Sequence, residues 1–152
     1  MKSDQKQQAR RRLDDRLAAL KPEERFAPPP KGWIRAIRDA LGMTGVQLAA
    51  RMKVRPQTIE ALEKSEASGT IQLNSLRRAA SALDCTVVYA LVPNDSLEQA
   101  VMDRARKIAV RDLARVAHTM KLEAQETRDA ENQERIEEYI RSLKDRDLWN
   151  EK

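Results

Sequence analysis

Residues 44–64 read TGVQLAARMKVRPQTIEALEK, and this stretch predicts two short helices joined by a tight turn. Thr44 is a suitable N-cap for the first helix, because its hydroxyl can accept a hydrogen bond from an otherwise unpaired backbone N–H. Pro56 suits the first turn of the second helix, where a missing N–H costs nothing. The predicted bounds are 44–52 for the first helix, 53–54 for the turn and 55–64 for the second helix.

Apolar residues mark the inner faces of both predicted helices. The first helix carries Val46, Leu48, Ala49 and Met52, the second carries Ile59 and Leu62, and Val54 lies between them. Two helices that cross steeply around a few shared apolar residues are typical of a helix-turn-helix. The alternative is an ordinary antiparallel helix pair in a bundle, but the spacing and the flanking helices favour DNA binding.

The same stretch resembles the helix-turn-helix of phage Cro and repressor proteins, the Xre class. The resemblance is carried by Leu48 and the small Ala49 after it, by Ile59 inside the second helix, and by Glu63 near its end. It implies a small helical bundle that binds double-stranded DNA. It also implies that the loop after the second helix and the start of the next helix contact phosphates, and the candidates there are Ser68, Thr70 and Asn74.

Base readout is expected from the exposed front of the second helix. Gln57 can bond bidentately to adenine, and Arg55 can bond to guanine or to a phosphate. Lys53 and Lys64 are better placed for phosphates. The remaining candidates on this front are Thr58, Glu60 and Ala61.

The flanking sequence predicts further helices and one strand. Helices are expected over 1–20, 33–41 and 73–83, with a stiff linker over 21–32 that contains Pro28, Pro29 and Pro30. On the helix over 33–41, the predicted buried stripe is Trp33, Ile34, Ile37, Ala40 and Leu41. Residues 85–92, CTVVYALV, are rich in β-branched residues and predict a strand.

A single strand needs a partner for its backbone groups. We therefore consider pairing with the same strand of a second subunit, which would also build the dimer that two operator half-sites require. The alternative is a buried apolar connector.

Composition limits the possible functions. Charged residues make up 35% of the 152 residues and aromatic residues 3%, and the net charge of +5 permits a polyanionic partner. Cys85 is the one cysteine, no Cys/His spacing indicates a metal site, and no nucleophile–base pair or phosphate loop is visible, so we expect no enzyme, no cofactor and no metal. No apolar run is long enough to span a membrane and no signal peptide is visible, so we expect a cytoplasmic protein without a membrane partner.

Charge is unevenly distributed along the chain. Residues 1–31 carry nine Lys/Arg against five Asp/Glu, whereas residues 123–152 carry six against ten. The helix over 1–20 reads as a basic arm against DNA phosphates or as a solvated helix packed on a partner through Leu13, Leu17 and Leu20, and both can hold together. A long helix is predicted over 96–122, starting from Ser96, followed by an acidic helix over 123–148. Leu148 and Trp149 are expected to anchor the end of the chain.

The order of segments resembles the family called mobile mystery protein A. The segments are a basic leader, a Pro-rich joint, GWIRAIRDALGM at 32–43, the helix-turn-helix, CTVVYALVP at 85–93 and RVAHTMKLEAQ at 115–125. Members are similar to antitoxin-type regulators encoded beside a Fic-domain protein, an enzyme class that transfers AMP. The resemblance therefore implies a Fic-domain toxin as partner.

Fic enzymes are restrained by a helix with the pattern Ser or Thr, three residues, Glu, then Gly or Asn. Its glutamate binds an active-site arginine, and a charge-assisted bond of this kind is strongest when it is bidentate. The first candidate here is Thr119 with Glu123, followed by Ala124 instead of Gly or Asn. The second is Thr127, Glu131 and Asn132, which fits the written pattern but lacks an apolar residue before the glutamate.

The sequence thus predicts a mainly α protein, a Cro/repressor-type bundle with one short β-strand and a C-terminal helical extension. Its predicted regions are a basic helix and linker over 1–32, a DNA-binding domain over 33–92 and an extension over 93–152 for dimerisation or partner binding. The expected function is a sequence-specific regulator that inhibits a Fic toxin and autoregulates its operon. A plain homodimeric Xre-type repressor without a toxin partner is the alternative.

Overall fold

A computed structural model describes residues 2–119 and 128–151, and its helices confirm the mainly α fold class. None of these described helices is long and apolar enough to cross a bilayer. Two short 3-10 helices, Glu23–Phe26 and Asp145–Asp147, accompany the α-helices. The α-helices are α1 (Lys2–Ala18), α2 (Trp33–Ala40), α3 (Gly45–Met52), α4 (Pro56–Ser68), α5 (Leu73–Ala82), α6 (Leu97–Thr119) and α7 (Arg128–Ser142).

The chain divides into two compact units. One unit is continuous in sequence, spans Lys21–Leu91 and contains α2 to α5. The other combines residues 1–20 with residues 92–152 and contains α1, α6 and α7. The N-terminal helix therefore belongs to the same unit as the C-terminal helices.

The core of the Lys21–Leu91 unit is small and almost entirely aliphatic. Its fully covered residues are Ile34, Leu48, Ala49, Ile59, Ala79 and Leu83. Val54, predicted to lie between the two helices of the motif, packs against this core together with Ile37. The prediction for α2 was wrong at its ends, since Trp33 is 42% exposed, Leu41 is 59% exposed and Ala40 is exposed as well. Val46, predicted on the inner face of the first helix of the motif, is also exposed, at 62%. Helical spacing places the predicted stripe on one side of α2, but it does not show how much of the length of α2 is covered by the neighbouring helices.

An ion pair joins α2 to α4 beneath the surface of the same unit. The Arg38 guanidinium donates to the Glu63 carboxylate at 2.6 Å, and it also donates to the backbone oxygen of Met43 at 2.8 Å. The hydrogen bond from Arg38 to Glu63 raises the pKa of Arg38. Glu63, found near the end of the second helix by the sequence pattern, is therefore a buried structural residue.

Residues 85–92 form no strand in the structure, where the sequence predicted one. The backbone N–H of Cys85 donates to the Ala80 oxygen, but the described residues offer no backbone partner to 86–91. Val88, Tyr89 and Leu91 are 83%, 65% and 88% exposed, so the segment is not a buried connector either. The β-branched pattern indicated a strand, but a ladder needs a second strand and residues 2–119 and 128–151 supply none.

The second unit packs α6 against α7 and the residues after it. Ala105 and Ile108 of α6 bury Leu148, and Tyr139 packs on the same cluster. The Tyr139 hydroxyl donates to the Asp112 carboxylate at 2.7 Å. Leu148 is therefore an anchor as predicted, while Trp149 is 57% exposed and is not.

Helix α1 is tied to the start of α6 by polar contacts. The Asp14 carboxylate accepts the backbone N–H groups of Leu97 at 2.7 Å and Glu98 at 3.1 Å. The Arg10 guanidinium donates to Glu98 at 2.8 Å and to Asp145 at 3.5 Å. Arg10 is thus engaged within its own unit, which favours a packed helix over a free basic arm.

Candidate nucleic-acid interface

The entry to α3 is fixed by a capping box. The Thr44 hydroxyl accepts the backbone N–H of Gln47 at 3.1 Å, and the Gln47 side chain accepts the backbone N–H of Thr44 at 2.9 Å. The prediction of Thr44 as N-cap is confirmed. Reciprocal bonds of this kind satisfy two donors that the helix cannot pair itself.

The turn between α3 and α4 depends on Lys53. Its φ of 57° and ψ of 42° lie in the left-handed region, which favours glycine. The Lys53 and Val54 N–H groups donate back to the α3 oxygens of Ala50 and Ala49. Pro56 lies in the first turn of α4, as the sequence predicted. Arg55, predicted as the first residue of this helix, is its N-cap.

Helix α4 has one buried and one exposed side. Ile59 and Glu63 are buried, and Leu62 packs against the core. Every residue predicted to contact DNA in this unit is exposed. These residues are Lys53, Arg55, Gln57, Thr58, Glu60, Ala61, Lys64, Ser68, Thr70 and Asn74.

The end of α4 lies one turn later than predicted. The helix continues through Ser68 and ends at Gly69, whose φ of 78° is left-handed. Ser68 is therefore helical and not part of a loop. Its hydroxyl lies 2.9 Å from that of Thr70, and both hydroxyls donate to the Ser65 oxygen. These two candidate phosphate contacts already serve the helix terminus, although both remain exposed.

A residue that the sequence analysis did not single out sets the start of α2. The Glu66 carboxylate, from α4, accepts the backbone N–H groups of Trp33 at 2.7 Å and Ile34 at 3.0 Å. A Cβ added to Gly32 would lie 2.7 Å from this carboxylate, and the φ of Gly32 is 85°. The sequence offered one indication of this contact: Gly32, which has no side chain to cap the helix, directly precedes α2.

A shallow groove of about 350 Å³ runs along one flank of α4. Two of its cations, Lys31 and Arg35, were not among the predicted contacts. Its lining residues are Lys31, Arg35, Glu60, Glu63, Lys64 and Ala67. Sequence analysis missed the two cations because Lys31 falls in the linker and Arg35 follows the buried Ile34.

The residues predicted to inhibit a partner enzyme are only partly described. Thr119 is the last described residue of α6, and Glu131 and Asn132 are exposed on α7. Glu123 and Thr127 lie outside the described residues. No group of three or more potential metal ligands occurs within 2–119 and 128–151.

Comparison with known protein families identifies the type of domain in the Lys21–Leu91 unit. Residues 34–89 match the family model described as helix-turn-helix, a range that includes almost all of α2 and the whole of α3, α4 and α5. The comparison with curated proteins found no match, and the comparison with solved structures found none either. The match supports a DNA-binding transcriptional regulator. Residues 34–89 of this chain are therefore a helix-turn-helix domain of the Xre type.

Proposed function

We propose that this protein regulates transcription by reading a specific DNA sequence with the front of α4. The observation that carries this proposal is the two-sided character of α4 within a helix-turn-helix domain. Ile59 and Glu63 fix the helix from behind, while Gln57, Thr58 and Ala61 remain exposed in front. In proteins of this architecture the second helix of the motif lies in the major groove.

The chemistry of the exposed side chains supports a division of roles. The Gln57 amide presents a donor and an acceptor, which match the N7 and N6 edge of adenine. Arg55, at the start of α4, can bond to guanine or to a phosphate. Lys53 and Lys64 carry a compact ammonium charge and lack the rigid bidentate donors of an arginine, so they suit phosphates better than base edges. Ser68, Thr70 and Asn74 extend the proposed backbone contacts beyond α4.

A binding titration tests the readout role. A duplex selected from a random library with the full chain serves as the cognate DNA, and an unselected duplex of equal length is the reference. Gln57→Ala should weaken the cognate complex by roughly 1–3 kcal/mol and leave the unselected complex near its original affinity. Gln133→Ala, an exposed change on α7, is the matched control. Equal losses on both duplexes would reject the readout role of Gln57.

We further propose that the regulator acts as a homodimer joined through residues 85–92. The support is the combination of a backbone segment, 86–91, without backbone hydrogen-bond partners in the described chain and three exposed apolar side chains, Val88, Tyr89 and Leu91. A second copy supplies what the segment lacks, because the same segment can pair with itself across a two-fold axis. Two domains so joined could occupy two half-sites of one operator.

The resemblance to mobile mystery protein A supports a second role as antitoxin of a Fic-domain AMP-transferase. In that role a C-terminal glutamate occupies the toxin's active site, and the protein represses its own operon. Glu123 with Thr119 is the first choice for this contact. Glu131 with Thr127 and Asn132 is the second, and the exposure of Glu131 and Asn132 leaves them accessible to a partner.

Co-expression with a Fic-domain protein encoded next to this gene tests the antitoxin role. A stable complex on size exclusion and suppressed AMP transfer are the expected results. Relief of the suppression by Glu123→Gly alone would assign the contact to Glu123, and relief by Glu131→Gly alone would move it to the later motif. The absence of any complex would leave a plain homodimeric repressor.

A further inference from the structure

The groove beside α4 carries an excess of positive charge. Among the charged residues that line it, Glu63 is already neutralised by the 2.6 Å ion pair with Arg38. No ion pair in the described part of the chain involves Lys31, Lys64 or Glu60. Three cations therefore face one free carboxylate.

The ion pair of Arg35 with Asp39 does not cancel this excess of positive charge. This ion pair spans 3.7 Å, and both side chains are about half exposed. An exposed pair of this kind contributes little and is readily exchanged for another partner. The guanidinium can therefore turn to an anion in the groove while the fold of α2 remains intact.

The groove adjoins the proposed base-reading front. Its wall includes Lys64, which lies two helical turns after Gln57 on the same side of α4. A duplex that contacts Gln57 with its base edges brings a sugar-phosphate strand along the flank of the helix. The anion nearest to the groove is then a phosphate of that strand, and duplex DNA carries such charges at short, regular spacing.

We propose that Lys31 and Arg35 form, with Lys64, a second phosphate-binding element that clasps the DNA backbone beside α4. This inference rests on the proposed DNA-reading role of α4. It assigns a binding function to the linker and to the first helix of the domain. Glu60 lies in the same groove and opposes the phosphate, so it limits how strongly the groove holds DNA of any sequence.

The salt dependence of binding tests this proposal with the full chain. Affinity for the selected and unselected duplexes is measured at salt concentrations from about 50 to about 300 mM, where counterion release sets how affinity changes with salt. The double variant Lys31→Gln/Arg35→Gln should weaken both duplexes by the same factor. It should also reduce the slope of log affinity against log salt by about 1 to 2, since each lost phosphate contact removes about 0.9.

A matched double variant separates this contact from a general charge effect. Arg25→Gln/Arg78→Gln removes the same charge from exposed positions of the same unit and should leave the slope near that of the wild type. Glu60→Gln should act in the opposite direction and strengthen binding to the unselected duplex. Circular dichroism of each variant checks that the helices are retained.

The outcomes distinguish the two proposals. If the wild-type chain binds the selected duplex no better than the unselected one, the sequence-reading role of α4 fails. If the wild type discriminates between the duplexes but the Lys31/Arg35 variant has the same slope as the Arg25/Arg78 control, the second phosphate-binding element is refuted. A weaker Glu60→Gln complex with the unselected duplex would also contradict the charge balance proposed for the groove.

Discussion

At the scale of a residue, Lys53 combines two opposing effects. Its left-handed backbone is a conformation that an L side chain adopts at a cost, whereas glycine adopts it freely. We expect Lys53→Gly to raise the free energy of unfolding by about 1 kcal/mol, measured by urea unfolding. The same change removes a proposed phosphate contact, so DNA binding should weaken while stability increases.

Lys53→Ala separates the two effects. It removes the charge but retains a Cβ in the left-handed region, so it should lose DNA affinity as Lys53→Gly does without the gain in stability. A gain of equal size in both variants would mean that the lysine charge, and not the backbone conformation, had been destabilising the turn.

At the scale of an element, α2 and α4 are held together by the Arg38–Glu63 pair. Both side chains are about 11–12% exposed, so removing one partner leaves a poorly solvated charge. Glu63→Ala should lower the free energy of unfolding by about 3 kcal/mol. Glu137→Ala, which removes an exposed ion pair with Arg141 on α7, should change it by less than about 0.5 kcal/mol.

A double variant tests the reason for that loss. Arg38→Leu/Glu63→Leu removes both charges together and should recover part of the stability, because no unpaired charge remains. If the loss of stability in the double variant equalled the sum of the losses in Arg38→Leu and Glu63→Leu made singly, the two side chains would not be energetically coupled.

How well the sequence predicts these elements depends on how local their determinants are. The Thr44 cap and Pro56 at the start of α4 act within a few residues, and both were predicted where they lie. The cap of α2 comes from Glu66, and that of α6 from Asp14 together with the adjacent Ser96. The caps from Glu66 and Asp14 exist only after the helices have packed, so no local pattern indicates them. The Ser96 cap is local and was predicted, and its hydroxyl accepts the backbone N–H of Gln99.

The candidate site follows the same division. Residues on the front of α4 could be identified from helical spacing, because the apolar residues define the buried side and leave the rest exposed. Lys31 and Arg35 could not, since their place beside Lys64 depends on how α2 packs against α4. The strand predicted over 85–92 is absent for another reason, namely that the described residues supply no second strand to pair with it.

The junction of α1 and α6 should make stability depend on acid pH. The hydrogen bond from Arg10 lowers the pKa of Glu98 below its ordinary value of 4.5, with a further contribution from Gln7. A carboxylate with a lowered pKa in the folded state stabilises the protein above its unfolded pKa, and this stabilisation is lost as the pH falls through the folded value. Stability should therefore decline as the pH is lowered from 4.5.

Glu98→Gln should flatten this decline without abolishing it. The pKa of Asp112 is also lowered, chiefly by the hydrogen bond from Tyr139, so a residual slope remains in the same acidic range. The measurement is urea unfolding of the wild type and the variant at several pH values from about 6 to about 3. This range covers the ordinary pKa values of aspartate and glutamate side chains. An identical slope in the two proteins would show that Glu98 is not linked to folding.

At the scale of the whole molecule, the proposed dimer makes the exposed segment a condition of tight operator binding. Val88→Asp/Leu91→Asp places charges on two of its most exposed apolar side chains. Like charges brought together across a two-fold axis repel, and they also lose the burial that favours pairing. Light scattering after size exclusion should give a dimer for the wild type and a monomer for this variant.

Val46→Asp, at a 62% exposed position on α3, controls for adding charge to an exposed apolar residue and should remain dimeric.

The effect of the Val88/Leu91 variant on DNA binding then separates assembly of the dimer from base readout. A monomer keeps the front of α4, so its affinity for a duplex with one half-site should equal that of the wild type. Its affinity for two half-sites about one helical turn apart should fall, because only a dimer engages both at once. If the Val88/Leu91 variant stayed dimeric, residues 85–92 would not be the interface, and an exposed apolar surface elsewhere, such as that around Val110 and Val116 on α6, would have to join the two copies.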